Sequence, residues 1–167
     1  HSNTVIGSDG FGFEPSEMGM SDAVAQLGGV DIGTDVSIGS CSCIDCGAID
    51  DTIIGNGVKI DNQVQIGHNC VIGDNTIICG QVGIVGSTKV GANCILAGGS
   101  GIGGGMPIEL CDEVVVSARA TVTQSISKPG IYSGVAPFMG HKEWLRNSIR
   151  YKYLDRLFKR VKELEAK

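Results

Sequence analysis

A mainly β chain, wound as a three-sided parallel β-helix with a helical extension at its C-terminal end, is predicted by three observations. Aliphatic residues recur at every sixth position, small or β-branched residues stand two places before them, and the residues after 141 switch to a helical period.

The six-residue step runs without a miss through Ile54, Ile60, Ile66, Ile72, Ile78, Ile84, Val90, Leu96 and Ile102. The same step joins Ile32, Ile38 and Ile44 before a four-residue insertion, and Leu110, Val116 and Val122 after a two-residue one. Val58, Val64, Cys70, Thr76, Val82, Thr88 and Cys94 each stand two residues before an aliphatic. Side chains of a strand alternate between its faces, so both positions point inward. Gly33, Gly39, Gly55, Gly67, Gly73 and Gly91 follow the aliphatic, where the chain turns a corner and a bulkier residue would be strained. Spacings of three and four are absent from this region, which rules out a helical reading. Three six-residue faces make a coil of eighteen residues, and successive coils stack at about the 4.8 Å strand spacing.

The repeat is expected over residues 1–126. Pro129, Gly130, Gly134, Pro137 and Gly140 mark a linker over 127–141. A helix is expected over 142–167, where Leu154, Leu157, Val161 and Leu164 form one apolar stripe beside Arg150, Arg156, Lys159 and Arg160. Such a stripe calls for a partner, and a homotrimer is the expectation.

Bulk properties narrow the function classes. The chain has 167 residues, enough for one domain with a sizeable core. No window approaches the roughly 18 apolar residues of a membrane span, and nothing resembles a signal peptide, so a soluble, cytoplasmic protein is expected. The chain starts at His1 and enters the repeat almost at once, which suggests a piece of a longer protein. Residues 1–140 carry four Lys and Arg against fourteen Asp and Glu, while the tail from His141 carries nine basic and four acidic residues. This asymmetry fits either a basic tail that meets an acidic partner or a solvated helix face. Seven cysteines without secretory features read as reduced thiols.

Of the three histidines, His1 is terminal and His141 lies in the expected linker. His68 stands two residues after Ile66, at a corner that faces outward. Gly86 follows it by eighteen residues and should lie directly over it, which would set a base about one strand spacing from a backbone N–H. An ordinary surface histidine is the competing reading.

Several segments together resemble a known family. They are Asp9-Gly10-Phe11-Gly12-Phe13, Ile44-Asp45-Cys46-Gly47-Ala48-Ile49-Asp50-Asp51-Thr52, Asp61-Asn62-Gln63-Val64-Gln65-Ile66-Gly67-His68-Asn69, and Pro129-Gly130-Ile131-Tyr132-Ser133 with Lys142-Glu143-Trp144. They look like the UDP-3-O-acylglucosamine N-acyltransferases of lipid A biosynthesis, one branch of the hexapeptide-repeat acyltransferases. The resemblance implies a left-handed coil. It also implies transfer of a 3-hydroxyacyl chain from acyl carrier protein to the 2-amino group of a UDP-linked 3-O-acylglucosamine, with no nucleic-acid partner. On this resemblance His68 is the general base, Asp61 orients it, and the N–H of Gly86 receives the oxyanion. Asn62, Gln65 and Asn69 match residues that line the substrate cleft. No metal or resident cofactor is implied, because the acyl group arrives on the phosphopantetheine of the carrier protein.

The chain also departs from that pattern. Cys46 stands where the family has Arg, and Gly103-Gly104-Gly105-Met106-Pro107-Ile108-Glu109 replaces a Gly-His-x-Glu stretch, with two more residues and no histidine. Nothing corresponds to the family's uridine-gripping N-terminal domain. A non-catalytic trimeric scaffold and an acetyl-CoA-dependent sugar acyltransferase are the alternatives. Cys41-x-Cys43-x-x-Cys46 has metal-like spacing but lacks a fourth ligand, so unligated thiols are favoured.

Overall fold

The computed structural model describes residues 1–16, 19–134 and 139–166. It divides into two units, His1–Val135 and Ala136–Lys167.

The first unit is a parallel β-helix with three faces. Its first face stacks Val5–Ser8, Cys43–Asp45, Gln65–Ile66, Gly83–Ile84, Gly101–Ile102 and Thr121–Val122. The second stacks Val30–Ile32, Thr52–Ile54, Val71–Ile72, Lys89–Val90 and Glu109–Leu110. The third stacks Ser37–Ile38, Lys59–Ile60, Ile77–Ile78, Ile95–Leu96, Val114–Val116 and Gly130–Tyr132. Ile66 pairs with Ile84 and Ile84 with Ile102, the expected eighteen-residue step. The aliphatic of every repeat from Ile44 to Val122 is buried, and so are Val58, Val64, Cys70, Thr76, Val82, Thr88 and Cys94 two places earlier. Of the inward polar side chains, Thr76 is satisfied by backbone, its hydroxyl donating to Gly91 O at 2.8 Å and accepting from the Cys94 N–H at 3.1 Å, while the Thr52 and Thr88 hydroxyls have no partner among the described residues.

Corners obey two rules. The second corner residue adopts a left-handed backbone, with φ of 58° at Asn69, 56° at Asn75 and 55° at Asn93. Asn tolerates this region better than most L residues, and Gly57 and Gly99 occupy it freely. The glycines that follow the aliphatics have a different reason, since their φ is ordinary. A Cβ on Gly73 would lie 2.5 Å from Ala92 N, and one on Gly91 would lie 2.5 Å from Asp112 N. These glycines let one coil rest directly on the next.

The departures from period six all fall at one corner, between the first and second faces. After the first strand, residues 9–16 and 19–29 leave the solenoid as an arm that contains an antiparallel pair of Phe13–Pro15 and Ser21–Ala23. One coil up, residues 46–51 form the four-residue insertion. Further up the stack, the two-residue insertion puts Met106 in solvent, while Ile108 returns to the core at 2% exposure. The excursion is thus confined to residues 103–107, and the inward column resumes at Ile108.

Two further boundaries differ from expectation. The segment 127–141 read as linker contributes the strand Gly130–Tyr132, which pairs with Val114–Val116 and extends the third face beyond residue 126. Pro and Gly signalled irregular chain there, yet the exposed edge of the coil still offered hydrogen-bond partners. Pro137 lies outside the described residues. In the second unit the single helix expected over 142–167 is two, α1 (His141–Lys152) and α2 (Leu154–Glu165), broken where Tyr153 takes φ −109° and ψ 13°. Neither helix has a buried residue, so the Leu154, Leu157, Val161 and Leu164 stripe is uncovered in the single chain. No helix among the described residues is long and apolar enough to cross a membrane.

Replacing Ile78, which is fully buried in the middle of the third face, with Ala should cost about 2–5 kcal/mol. Urea unfolding followed by circular dichroism would read this as a lower midpoint. An unchanged midpoint would mean that this inward column does not hold the coils together.

Candidate active site

His68 sits at the corner that follows Gln65–Ile66, between the first and second faces. Ile66 is fully buried, and a Cβ on Gly67 would lie 2.6 Å from Gly86 N, so the only room for the next side chain is outward. There the imidazole is held on three sides. Gly86, one coil up, lies against the ring: a Cβ on it would be 2.5 Å from His68 Nε2. Gly10, at the root of the arm, closes on the other end, where a Cβ would be 2.7 Å from His68 Cβ. Asn69 supplies the third contact, its Oδ1 lying 3.0 Å from His68 Nδ1.

The backbone N–H of Gly86 lacks the side-chain cap that several corner positions have. At three equivalent places the N–H of Thr34, Asn56 and Ala92 is capped by Asn56, Asp74 and Asp112 from the coil above, at 2.9, 2.7 and 2.8 Å, whereas those of Asp74, Gly80 and Asp112 have no acceptor among the described residues. Above Gly86 the stacked residue is Gly104, which has no side chain to reach down. Among the described residues the Gly86 N–H has no acceptor. An uncapped N–H beside an imidazole is the arrangement that charge developing on an oxygen requires.

A cleft of about 910 Å³ opens in front of the ring. One wall is the arm, where Phe11 and Phe13 meet edge to face with ring centroids 5.0 Å apart. The floor is the outward column of the first face: Gln65, Gly83, Gly101 and Thr121, in register from coil to coil. A Cβ on Gly83 or Gly101 would meet nothing within 4 Å. The fold has no steric need for glycine at either place, and the effect of both is a trough that runs along the stack. Together the cleft has an apolar trough, an aromatic wall and one base at its edge.

Sequence reasoning did not assign Asp45 a role, yet this nearly buried carboxylate organises the lower part of the cleft. Its Oδ1 accepts from the Ser8 hydroxyl at 2.9 Å and its Oδ2 from the Gln65 amide N–H at 3.0 Å. Ser8 and Asp45 lie 37 residues apart, so only the pairing of their strands brings them together. Cys70, next to Asn69, is no competing nucleophile: burial pushes its thiol up to about 11, and it donates to Val85 O at 3.2 Å. Burial also raises the Cys94 thiol.

His68, Gly86, Gln65 and Asn69 are thus brought to one place. Asp61 and Asn62 are not. They occupy the corner between the third and first faces, where Asp61 Oδ1 accepts from the Asn62 N–H at 2.7 Å and Asn62 Oδ1 from the Ser40 N–H at 2.7 Å. A separation of seven residues puts Asp61 one corner away from His68, so within the chain Asn69 takes the contact with the imidazole that was expected of Asp61. Cys41, Cys43 and Cys46 are free thiols. Among the described residues no group of three or more His, Cys, Asp or Glu side chains could hold a metal ion.

Comparison with known proteins agrees with this architecture. Residues 51–86 match the family model of the bacterial transferase hexapeptide, six repeats. Solved structures share the fold: UDP-N-acetylglucosamine O-acyltransferase from Moraxella catarrhalis superposes with a TM-score of 0.68 at 22% identity, over 93% of this chain and 60% of that one. The UDP-N-acetylglucosamine acyltransferase from Campylobacter jejuni gives 0.66 at 18% identity, over 92% of this chain and 62% of that one. Three curated relatives named UDP-3-O-acylglucosamine N-acyltransferase are much nearer in sequence. That of Chromohalobacter salexigens is 53% identical, that of Coxiella burnetii 48% and that of Hahella chejuensis 46%, each over 99% of this chain. The chain spans about half the length of these relatives, 47%, 48% and 47% respectively. It is a hexapeptide-repeat protein, homologous over nearly its whole length to the UDP-3-O-acylglucosamine N-acyltransferases.

Proposed function

We propose that the chain is the catalytic portion of an N-acyltransferase of lipid A biosynthesis. It would move a 3-hydroxyacyl chain from acyl carrier protein to the 2-amino group of UDP-3-O-acylglucosamine, in the cytoplasm. The observation that carries this reading is the pairing of His68 Nε2 with the uncapped Gly86 N–H at the edge of an apolar trough. The relatives' names supply the substrate class.

In the proposed step the sugar amine attacks the thioester carbonyl directly, without an acyl-enzyme. His68 takes the proton that the nitrogen sheds as the new C–N bond forms. Negative charge on the carbonyl oxygen is met by the Gly86 N–H. Collapse of the tetrahedral species breaks the C–S bond, and the phosphopantetheine sulfur leaves as a thiol with the proton that His68 returns. No metal or resident cofactor takes part. The glycine trough and the Phe11–Phe13 wall suit an aliphatic chain, which gains roughly 0.8 kcal/mol for each buried methylene. Gln65, oriented by Asp45, offers a polar contact at the lower end.

The working form is proposed to be a homotrimer. The outward column of the third face includes the exposed Ile77, Ile95 and Ile131 with the half-buried Val115 among them, and a contiguous apolar column of this kind marks a contact surface. The uncovered stripe of α2 has the same requirement. Asp61 and Asn62 would reach a cleft only from a neighbouring copy. The basic side chains Arg146, Arg150, Lys152, Arg156, Lys159 and Arg160 are the proposed docking surface for the acidic carrier protein.

Mass spectrometry of products formed from UDP-3-O-acylglucosamine and a 3-hydroxyacyl carrier protein tests the activity. His68→Ala should lower turnover by about 10²- to 10⁴-fold without loss of stability. Gly86→Ala should also lower it, because the added methyl displaces the ring. A His68→Ala variant with the wild-type rate would remove the residue as the base, and a wild-type protein without product would favour a scaffold.

Sedimentation velocity should find three copies at micromolar concentration. Carrier-protein binding should weaken as salt rises, because exposed charges are screened over about 8 Å at physiological ionic strength. A stable monomer, or binding indifferent to salt and to truncation after Gly140, would count against the shared cleft and the docking surface respectively.

A further inference from the structure

The four-residue insertion at residues 46–51 breaks the period of six one coil below His68, and it folds around a single side-chain amide, that of Asn69. The Ala48 N–H donates to Asn69 Oδ1 at 3.0 Å, and Asn69 Nδ2 donates to Asp50 O at 2.7 Å. The loop is itself fastened to the root of the arm: the Leu27 N–H donates to Ala48 O at 2.8 Å and the Gly28 N–H to Gly47 O at 2.9 Å. A Cβ on Gly47 would lie 2.8 Å from Asn69 Nδ2, so the socket fits the amide closely.

Polarity follows from these contacts. A backbone N–H can only donate and a backbone carbonyl can only accept, so the amide is oriented without ambiguity, oxygen toward Ala48 and nitrogen toward Asp50. The same oxygen lies 3.0 Å from His68 Nδ1. An amide oxygen cannot donate, so a hydrogen bond here requires the proton to be on Nδ1. In the neutral ring Nε2 is then left with its lone pair, on the side of Gly86.

We infer that Asn69 is a positioning residue that holds His68 in the Nδ1–H tautomer, and that the 46–51 insertion exists to set the polarity of its amide. This rests on the reading of His68 as the base, and it gives Asn69 a role other than contact with substrate. A free imidazole prefers its proton on Nε2, the form that cannot accept a proton there, so a base at this corner needs such a partner.

The tautomer can be read without turnover. Long-range ¹H–¹⁵N NMR of the protein carrying ring-¹⁵N histidine, at a pH where the imidazole is neutral, distinguishes protonated from unprotonated ring nitrogens. His68 is assigned by the signals that vanish in His68→Gln. The wild type should show a protonated Nδ1 and an unprotonated Nε2. Asn69→Ala should shift the population toward Nε2–H, whereas Asn69→Asp, which keeps an acceptor facing Nδ1, should retain the wild-type pattern. In the acyl-transfer assay Asn69→Ala should lower kcat by about 10- to 100-fold, as when the partner of a functional histidine is removed, with KM little changed.

An Nε2–H tautomer in the wild type would overturn the inference. So would an unchanged tautomer in a folded Asn69→Ala protein. If Asn69→Ala does not fold, the wild-type and Asn69→Asp spectra decide. Failure of the base itself looks different: His68→Ala would keep the wild-type rate while the tautomer pattern stood.

Discussion

Everything in the solenoid depends on the backbone ladder between stacked strands, whose paired residues stand eighteen apart in the regular coils. Each coil donates to the one above through bonds such as Gly67 N–H to Ile84 O at 2.9 Å and Gly73 N–H to Val90 O at 2.7 Å. The ladder works only if the corners also stack, which is why glycine follows so many of the inward aliphatics. Once stacking is enforced, position in the sequence becomes position in space. A residue's height and face follow from its number, with corrections only for the insertions.

The candidate site exploits this regularity. At several corners an N–H is satisfied by Asn or Asp from the coil above, a local hydrogen bond that stabilises by about 0.5–1.5 kcal/mol. Above Gly86 that cap is missing because residue 104 is glycine, and the donor is left for something else. His68 is restrained in the opposite manner, between Gly86, Gly10 and Asn69, so that little freedom remains to be lost when a substrate binds. One group is left unsatisfied and its neighbour is held fast. Both conditions follow from the choice of side chain at a few stacked positions.

Much of this was legible in the sequence, for a definite reason. The period of six is a local signal that repeats, so the faces, the inward columns and the stacking of Gly86 on His68 could be read from numbers alone. The helical stripe was equally plain, although the break at Tyr153 was not, since a single residue at φ −109° leaves no mark on apolar spacing. The arm was invisible to the period because residues 9–16 and 19–29 leave the coil altogether. Asp45 was missed because its partners, Ser8 and Gln65, come from the coils below and above, and no spacing rule links a hydroxyl, a carboxylate and an amide across them. Asp61 was placed beside His68 by likeness to a motif, whereas the count of residues per face already assigned it to the previous corner.

The insertions of the solenoid share one edge, the arm and residues 46–51 below His68 and the Gly103–Pro107 bulge above. A coil can release any length of chain at a corner provided that the chain returns to the same point, so the size of an excursion is free while its height is not. Between these insertions, the coils of His68 and Gly86 pass this edge without an excursion. The gap between the excursions is therefore a window whose height is set by a whole number of strand spacings, each about 4.8 Å. Moving an insertion up or down by one coil would widen or narrow that window by one such step, with no intermediate setting. The height of the gap at this edge is thus quantised by the backbone, and side chains supply only the fine adjustment within a step.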